Sequence, residues 1–522
     1  MTDQGNPQAG RREWIGLAVL ALPTLLVSVD VFVMLLALPH VSADLGASST
    51  EQLWIMDIYS FMIAGFLITM GTLGDRIGRR KLLLIGAAAF GVASVASAYS
   101  TNAEMLIAAR AALGIAGATL APSTLALISN MFRDPRQRSL AIGIWLVCFM
   151  SGAAIGPVVG GAMLENFWWG SVFLIGVPAM LLLLVLGPIL LPEYRHPSAG
   201  RLDLISVGLS LATILPVIYG LKELARSGWQ PVPLAAIAAG LVAGAVFVRR
   251  QRRLADPLLD LRLFGNRAFS AALGSMLFGT LLMGAIMMFI TQYFQLVRGL
   301  SPLRAGLWML PAVGASGISF LVSPLLARRF RPAYLIGGGL LVSVAGLLLI
   351  TRADAATGLA NVVSGFALIN LGAGPLVTLG TDLVVGSAPV ARAGSAASMN
   401  ETSGEFGFAL GIAALGSLGT AVYRAQIAGA IPAGAPHAVA AATRDTLAGA
   451  TAAAANLPAP VSAALLGPAR EAFTSGLNVV AVVCAVLLLG VAVIAVTLLR
   501  DVRPSGAAAT EAPEEVPVPA MC

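Results

Sequence analysis

The chain has 522 residues, 58% of them hydrophobic and only 11% charged, with a mean hydropathy of +0.88. A soluble domain is about a quarter charged, so a soluble fold is excluded and a polytopic membrane protein is indicated. The net charge of +7 does not mark a nucleic-acid binder, because the basic residues stand in short clusters at the ends of apolar runs, where membrane orientation places them.

Fourteen apolar runs read as membrane-spanning helices: 14–38, 52–73, 82–99, 104–128, 140–164, 170–191, 204–222, 231–248, 268–291, 303–327, 333–350, 358–381, 396–422 and 473–499. The first follows a short tail over 1–13. It exceeds the roughly 7–15 residues of a signal-peptide core, so it reads as uncleaved, although Val41-Ser42-Ala43 resembles a cleavage site. An even number of spans puts both termini on one side. With the N-terminus in the cytoplasm, 23 of the 32 Lys and Arg residues fall in inner segments, 8 in outer ones and one, Arg110, inside a span. That asymmetry places both termini in the cytoplasm. Lys222, one of only two lysines, counts among the outer residues at the end of span seven.

The outer segment 423–470 is rich in Ala, Gly and Pro, with helix-prone pieces near 437–455 and 459–473. A short helical hairpin is expected there, and a disordered tail over 501–522. Three cysteines (Cys148, Cys484, Cys522) and three scattered histidines (His40, His196, His437) form neither a disulfide framework nor a metal site. Leu321–Arg331, between spans ten and eleven, is a weak echo of the charged stretch between spans two and three, which suggests two related halves. The expected architecture is an all-α polytopic protein: one six-helix bundle over 14–192, an inserted helix pair over 193–250 and a second six-helix bundle over 251–500.

The charged stretch between spans two and three is the densest in the chain. Its residues Gly71, Leu73, Gly74, Asp75, Arg76, Gly78, Arg79, Arg80 and Lys81 resemble the cytoplasmic loop signature of the major facilitator superfamily. Arg110-x-x-x-Gly114 in span four resembles that family's intramembrane arginine motif. Gly152-x-x-x-Gly156-Pro157-x-x-Gly160-Gly161 in span five is similar to its antiporter motif. Asp30 followed by Ala37-Leu38-Pro39 resembles the span-one motif of the fourteen-helix drug–proton antiporters, of the quaternary-ammonium and methyl-viologen resistance type. The resemblance implies a major facilitator fold. It also implies that Asp75 and Arg79 join a charge network locking one conformation. Leu113, Phe32 and Leu35 stand where the family usually has Gln, Thr and Asn, which makes the pocket side of span one more apolar.

A charged side chain at bilayer depth costs about 2.5–3.5 kcal/mol on insertion scales and normally faces a protein interior or a cavity. Asp30 and Arg110 lie roughly 13 Å and 9 Å below the same outer end at 1.5 Å per residue, so the two can meet. A proton arriving at Asp30 then makes or breaks the pair. Asp57 lies one to two turns into span two. Glu401 and Glu405 share a face of span thirteen, deep enough that one of them holds a proton or a substrate cation. Asp30, Asp57, Glu401, Glu405 and Arg110 are therefore the candidate coupling residues, and Gly71, Asp75, Arg76, Gly78, Arg79 and Arg80 the conformational latch. Gly152, Gly156 and Gly160 form a small-residue stripe for close helix packing, continued by Pro157 and Gly161. Phe32, Trp54, Tyr59, Trp145, Phe149, Met287, Tyr293, Trp308 and Phe406 are candidates for a substrate pocket, since aromatic faces attract organic cations.

The reading is a proton-coupled exporter of lipophilic or cationic compounds, acting as a monomer in the lipid bilayer, with no cofactor and no nucleic-acid partner. No Walker-type glycine loop is present for ATP hydrolysis, and no nucleophile motif supports a membrane-embedded enzyme. An exporter of one endogenous metabolite or lipid is the alternative.

Overall fold

In the computed structural model the described residues are 9–502, apart from 133, 194–202, 228, 255–256, 258–260, 355–357, 388–392, 432–435 and 456. They are helical, with no strand among them. In chain order the helices are α1 (Arg11–Leu45), α2 (Ser49–Ile77), α3 (Arg79–Ala98), α4 (Ala103–Met131), α5 (Pro135–Asn166), α6 (Ser171–Leu174), α7 (Gly176–Leu190), α8 (Leu204–Ser227) and α9 (Pro231–Gln251). Then come α10 (Arg267–Gln292), which runs into a π-turn over Tyr293–Val297, α11 (Pro302–Ala327), α12 (Pro332–Ile350), α13 (Leu359–Gly386), α14 (Ala393–Ile427), α15 (His437–Asp445), α16 (Leu447–Ala454) and α17 (Ala459–Leu498).

Among the described residues, 12 helices are long and apolar enough to cross a membrane: α1, α3, α4, the α6–α7 rod, α8, α9, α10 with its π-turn, α11, α12, α13, α14 and α17. Helices α2 and α5 are 29 and 32 residues long. Local signals set the boundaries. Ser48 and Glu51 form a capping box at the start of α2, and Asn102, Asn266 and Ser301 cap α4, α10 and α11 through their side chains. Gly46 ends α1 in the left-handed region.

Helices α1 to α7 form one packed group, through α1 on α5, α7 and α4, α2 on α4, and α3 on α4 and α7. Helices α10 to α14 and α17 form the other, through α12 on α13 and α17, α11 on α13, and α10 on α14, α13 and α17. The groups meet along two seams, α2 against α14 and α5 against α11. Helices α8 and α9 pack on each other, and α8 lies against both α14 and α2. One face of the molecule carries the start of α1 and the end of α17; we call it the terminal face. The opposite face carries α15 and α16, and we call it the hairpin face.

Two boundaries differ from the hydropathy reading. Helix α8 continues past residue 222 to Ser227, so Lys222 lies within the helix and not in an outer loop, and its side chain is wholly buried. Residues 459–473 are the first part of the 40-residue α17 and not a separate piece beside α15 and α16.

Candidate functional site

Arg110 is the largest fully buried side chain, at 1% exposure. Its Nε donates to the Ile55 carbonyl of α2 at 2.5 Å, and its Nη1 lies 3.4 Å from Asp30 Oδ2 of α1. The guanidinium also sits over the Tyr59 ring at 5.2 Å and the Phe173 ring at 5.9 Å. One residue of α4 thus holds α1, α2 and α6 through charge, a backbone carbonyl and two aromatic faces. Gly114, one turn further along α4, permits this approach, because a Cβ there would lie 2.4 Å from the Tyr59 carbonyl oxygen.

Asp57 is fully buried, and its partner is one the sequence did not suggest. Lys222 Nζ of α8 lies 2.7 Å from Asp57 Oδ2, off the axis of a well-directed hydrogen bond, so the contact is an ion pair. The same ammonium lies 3.9 Å from the centroid of the Trp54 ring. Glu405 of α14 sits beside Ser60, one turn along α2 from Asp57. Glu401, one turn nearer the terminal face, is exposed. The two glutamates share a helix face but occupy different surroundings.

The glycines of α5 face two partners. A Cβ at Gly152, Gly156 or Gly160 would press on Ser28, Phe32 or Val33 of α1, at 2.5, 3.0 and 2.7 Å. A Cβ at Gly161 would lie 2.6 Å from the Leu303 Cα, and one at Gly306 would lie 2.4 Å from the Pro157 carbonyl oxygen. The stripe therefore fits α5 against α1, and its last residues seal the seam with α11. Further ties between the two groups, with Asp445 of α15 bridging, lie near the hairpin face. Gln295 donates to the Leu36 carbonyl at 3.0 Å, Arg424 donates to Ser49 Oγ at 2.9 Å and to Asp445, and the Ser49 amide donates to Asp445 Oδ2 at 2.8 Å.

At the terminal face the stretch from Gly71 to Lys81 is the last turns of α2, the single connecting residue Gly78 and the start of α3. Gly78 takes φ 112°, and a Cβ there would run into the Glu193 carboxylate at 2.4 Å. Arg80 donates to the Pro188 and Leu191 carbonyls at 3.3 and 3.0 Å and lies 3.7 Å from Glu193. Arg79 is buried, Arg76 is exposed, and a Cβ at Gly71 would make an ordinary contact with Pro122. The side chain of Asp75 lies outside the described part, so the expected network with Arg79 is not described. The latch contacts seen here run to the end of α7.

A cavity of about 340 Å³ opens among α10, α11, α12 and α13. Met276, Met283, Met287 and Met309 line it, with Phe32 reaching in from α1, and none of its lining residues is charged. Its polar groups include Ser316, which donates to Asn370 at 2.9 Å. Of the aromatic and Met candidates, Phe32 and Met287 line this cavity. The others do not. Trp54 covers Lys222 and Tyr59 lies under Arg110. Trp145 donates to Thr124 and stacks on Phe149 at 6.4 Å, and Phe406 packs on Phe61. Tyr293 donates to the Asp354 carbonyl at 2.6 Å, and Trp308 is exposed on the outer surface of α11.

The family model of the Major Facilitator Superfamily matches residues 20–412. The chain belongs to the Major Facilitator Superfamily. Its relatives in that superfamily include the multidrug efflux pump LfrA of Mycolicibacterium smegmatis, 44% identical over 94% of this chain and 98% of LfrA. They also include the methyl viologen resistance protein SmvA of Salmonella typhimurium, 34% identical over 88% of this chain and 93% of SmvA. The tetracenomycin C resistance and export protein of Streptomyces glaucescens is 31% identical over 98% of this chain and 95% of its own length. Among solved structures, a bacterial homolog of the human lysosomal transporter Spinster, inward-facing and unoccupied, matches with a TM-score of 0.69 at 16% identity, over 95% of this chain and 99% of that one.

Within this major facilitator fold, Asp30 and Arg110 are brought together, and Asp57 and Glu405 lie along one side of α2. Glu401 lies one turn from Glu405 on the same face of α14, with its side chain exposed. Lys222 was missed, and the Met-lined cavity was only partly anticipated. The one sequence signal for Lys222 was rarity: a lysine at the end of an apolar run in a chain with only one other.

Proposed function

We propose that the chain is a proton-coupled multidrug efflux antiporter that exports lipophilic or cationic compounds by alternating access. The observation that carries this reading is the buried Asp30–Arg110 pair, joined through α2 to Asp57 and close to an uncharged, Met-rich cavity into which Phe32 projects. A proton taken up by Asp30 weakens its hold on Arg110, and Arg110 ties three helices, so one proton is linked to a rearrangement of helices. The apolar cavity suits the body of an amphipathic compound, and Met adapts to many shapes. The names of LfrA and SmvA point the same way.

On this reading α2 and α5 complete a set of fourteen spans, the terminal face is cytoplasmic, the protein works as a monomer, and α8–α9 are a pair inserted between two six-helix halves. The named ties between the halves cluster toward the hairpin face, while Glu401 is exposed nearer the terminal face. That distribution supports an inward-facing conformation. A second reading, an exporter of one endogenous product, is favoured by the likeness to the tetracenomycin C export protein.

The test is efflux of ethidium and a quaternary ammonium compound in energised inverted vesicles. Transport is expected to stop when the pH gradient collapses, and Asp30→Asn and Glu405→Gln are each expected to lose proton-driven transport. Full proton-coupled efflux in both variants sinks the assignment of coupling residues. Transport of a single natural product and no dye favours the second reading.

A further inference from the structure

The Asp57–Lys222 pair has an unusual construction. Both side chains are 0% exposed, and each comes from a different structural unit: Asp57 from α2 in the first helix group, Lys222 from α8 of the inserted pair. The lysine is not held by the carboxylate alone, because the Trp54 ring covers the ammonium at 3.9 Å. A buried carboxylate beside an indole face is the arrangement that recognises an organic ammonium. Here the ammonium is the protein's own.

We propose that Lys222 is a resident cation, occupying a site built from Asp57 and Trp54 that takes the cationic head of an exported compound once the lysine withdraws. This rests on the efflux reading above and names the chemical class of its substrate, an organic ammonium or other lipophilic monocation. Withdrawal asks only the flexible four-carbon stem of Lys222 to swing, not α8 to move. Helix α8 is seated between α2 and α14 by a small apolar cluster of Ile214, Leu215 and Ile218 against Phe61, Phe406 and Ala409. Its other end is fixed by polar contacts, through Asp203 and Ser206 to Arg250 and Gln251 of α9.

The charges around the site permit the exchange. Facing it are Lys222 from α8 and Arg110 from α4, whose Nε holds the Ile55 carbonyl two residues before Asp57. Asp30 of α1 lies behind Arg110, and Glu405 of α14 lies one turn further along α2. One monovalent cation replacing another leaves the local charge unchanged. A neutral or anionic compound gains nothing there.

Two measurements on the full-length protein test this. In the wild type, acylation by an N-hydroxysuccinimide acetate is read by mass spectrometry at the two lysines, with exposed Lys81 as the internal reference. Saturating ethidium is expected to raise labelling of Lys222 several-fold over Lys81; protection of Lys222 in the ethidium-bound protein overturns the proposal. In the second measurement, Lys222→Met is expected to bind ethidium about tenfold more tightly, and the gain is expected to vanish in Lys222→Met/Trp54→Ala. Unchanged or weaker binding in a Lys222→Met protein that melts like wild type also overturns it. If Lys222→Met does not fold, the labelling result decides alone. Wild-type protein that exports ethidium while Lys222 stays protected refutes the resident cation and leaves the efflux reading standing. Wild-type protein that neither binds nor exports any cation refutes both.

Discussion

Arg110 shows how much a single side chain is asked to do. Its fork reaches a backbone carbonyl on α2 and a carboxylate on α1 at once. Lysine keeps the charge but not the fork, so Arg110→Lys is expected to reduce pH-driven efflux by an order of magnitude or more in vesicles while the protein still inserts. Arg110→Ala leaves Asp30 buried without its partner, and breaking a buried pair costs about 3–5 kcal/mol; a matching loss in detergent melting is expected, and Asp30→Asn in the same background is expected to recover part of it. A different pair sits at the terminal end of α8. Partial burial raises the Asp203 carboxyl, but hydrogen bonds from Arg250 and Ser206 outweigh it and hold it below the usual range. A depressed carboxyl contributes stability that is fully present above the ordinary value of about 3.9 and is lost as pH falls through the depressed value. The melting difference between wild type and Asp203→Asn is therefore expected to be constant above about pH 5 and to shrink in acid. Asp30 and Arg110 were legible because charge inside an apolar run announces itself. Lys222 was not, because a hydropathy window ends where a lysine begins and its partner lies on a distant helix.

The helices meet on glycine and serine surfaces, as expected where lipid supplies no hydrophobic drive and close packing must do the work. The four-residue spacing of Gly152, Gly156 and Gly160 revealed a close-packed face, but not that α1 fills it, nor that Gly161 belongs to a different contact. Those are tertiary facts. Gly161→Ala is expected to be the worse substitution, because the clash is with the Leu303 backbone, which cannot rotate away. A loss of about 1–3 kcal/mol from overpacking should appear in melting, together with greater accessibility of cysteines placed near Leu303. Gly314→Ala, with open space around the new methyl, is expected to be silent. The short helices α15 and α16 were partly legible from their alanines. Their task was not: Asp445 at the end of α15 meets Ser49 and Arg424 at the starts and ends of two other helices. Asp445→Asn is expected to loosen that closure and raise labelling of residues lining the hairpin-side seam.

At the scale of the molecule, hydropathy was enough to mark the 12 long apolar helices among the described residues, since bilayer thickness acts on every segment alike. The packing of spans into two groups followed from family resemblance and a faint internal echo. What neither could give is which spans line the apolar cavity. That cavity lies almost wholly within α10, α11, α12 and α13, with α1 contributing Phe32, whereas the acids lie on α1, α2 and α14. Volume-reducing changes there, such as Gly279→Leu, are expected to narrow the range of compounds exported without altering proton dependence, as read from a panel of dyes of different size.

Helices α8 and α9 make the two seams unequal. The α2–α14 seam is roofed by α8, and α2 shows no exposed large apolar side chain among its described residues. Among the described residues no helix covers the α5–α11 seam in the same way, and Val147, Ile155, Leu307 and Trp308 face outward. A compound dissolved in a leaflet therefore meets one seam directly and the other only behind a helix. A photoactivatable lipophilic cation delivered through the membrane is expected to mark α5 and α11, and equal labelling of α2 and α14 would show that the roof does not hold.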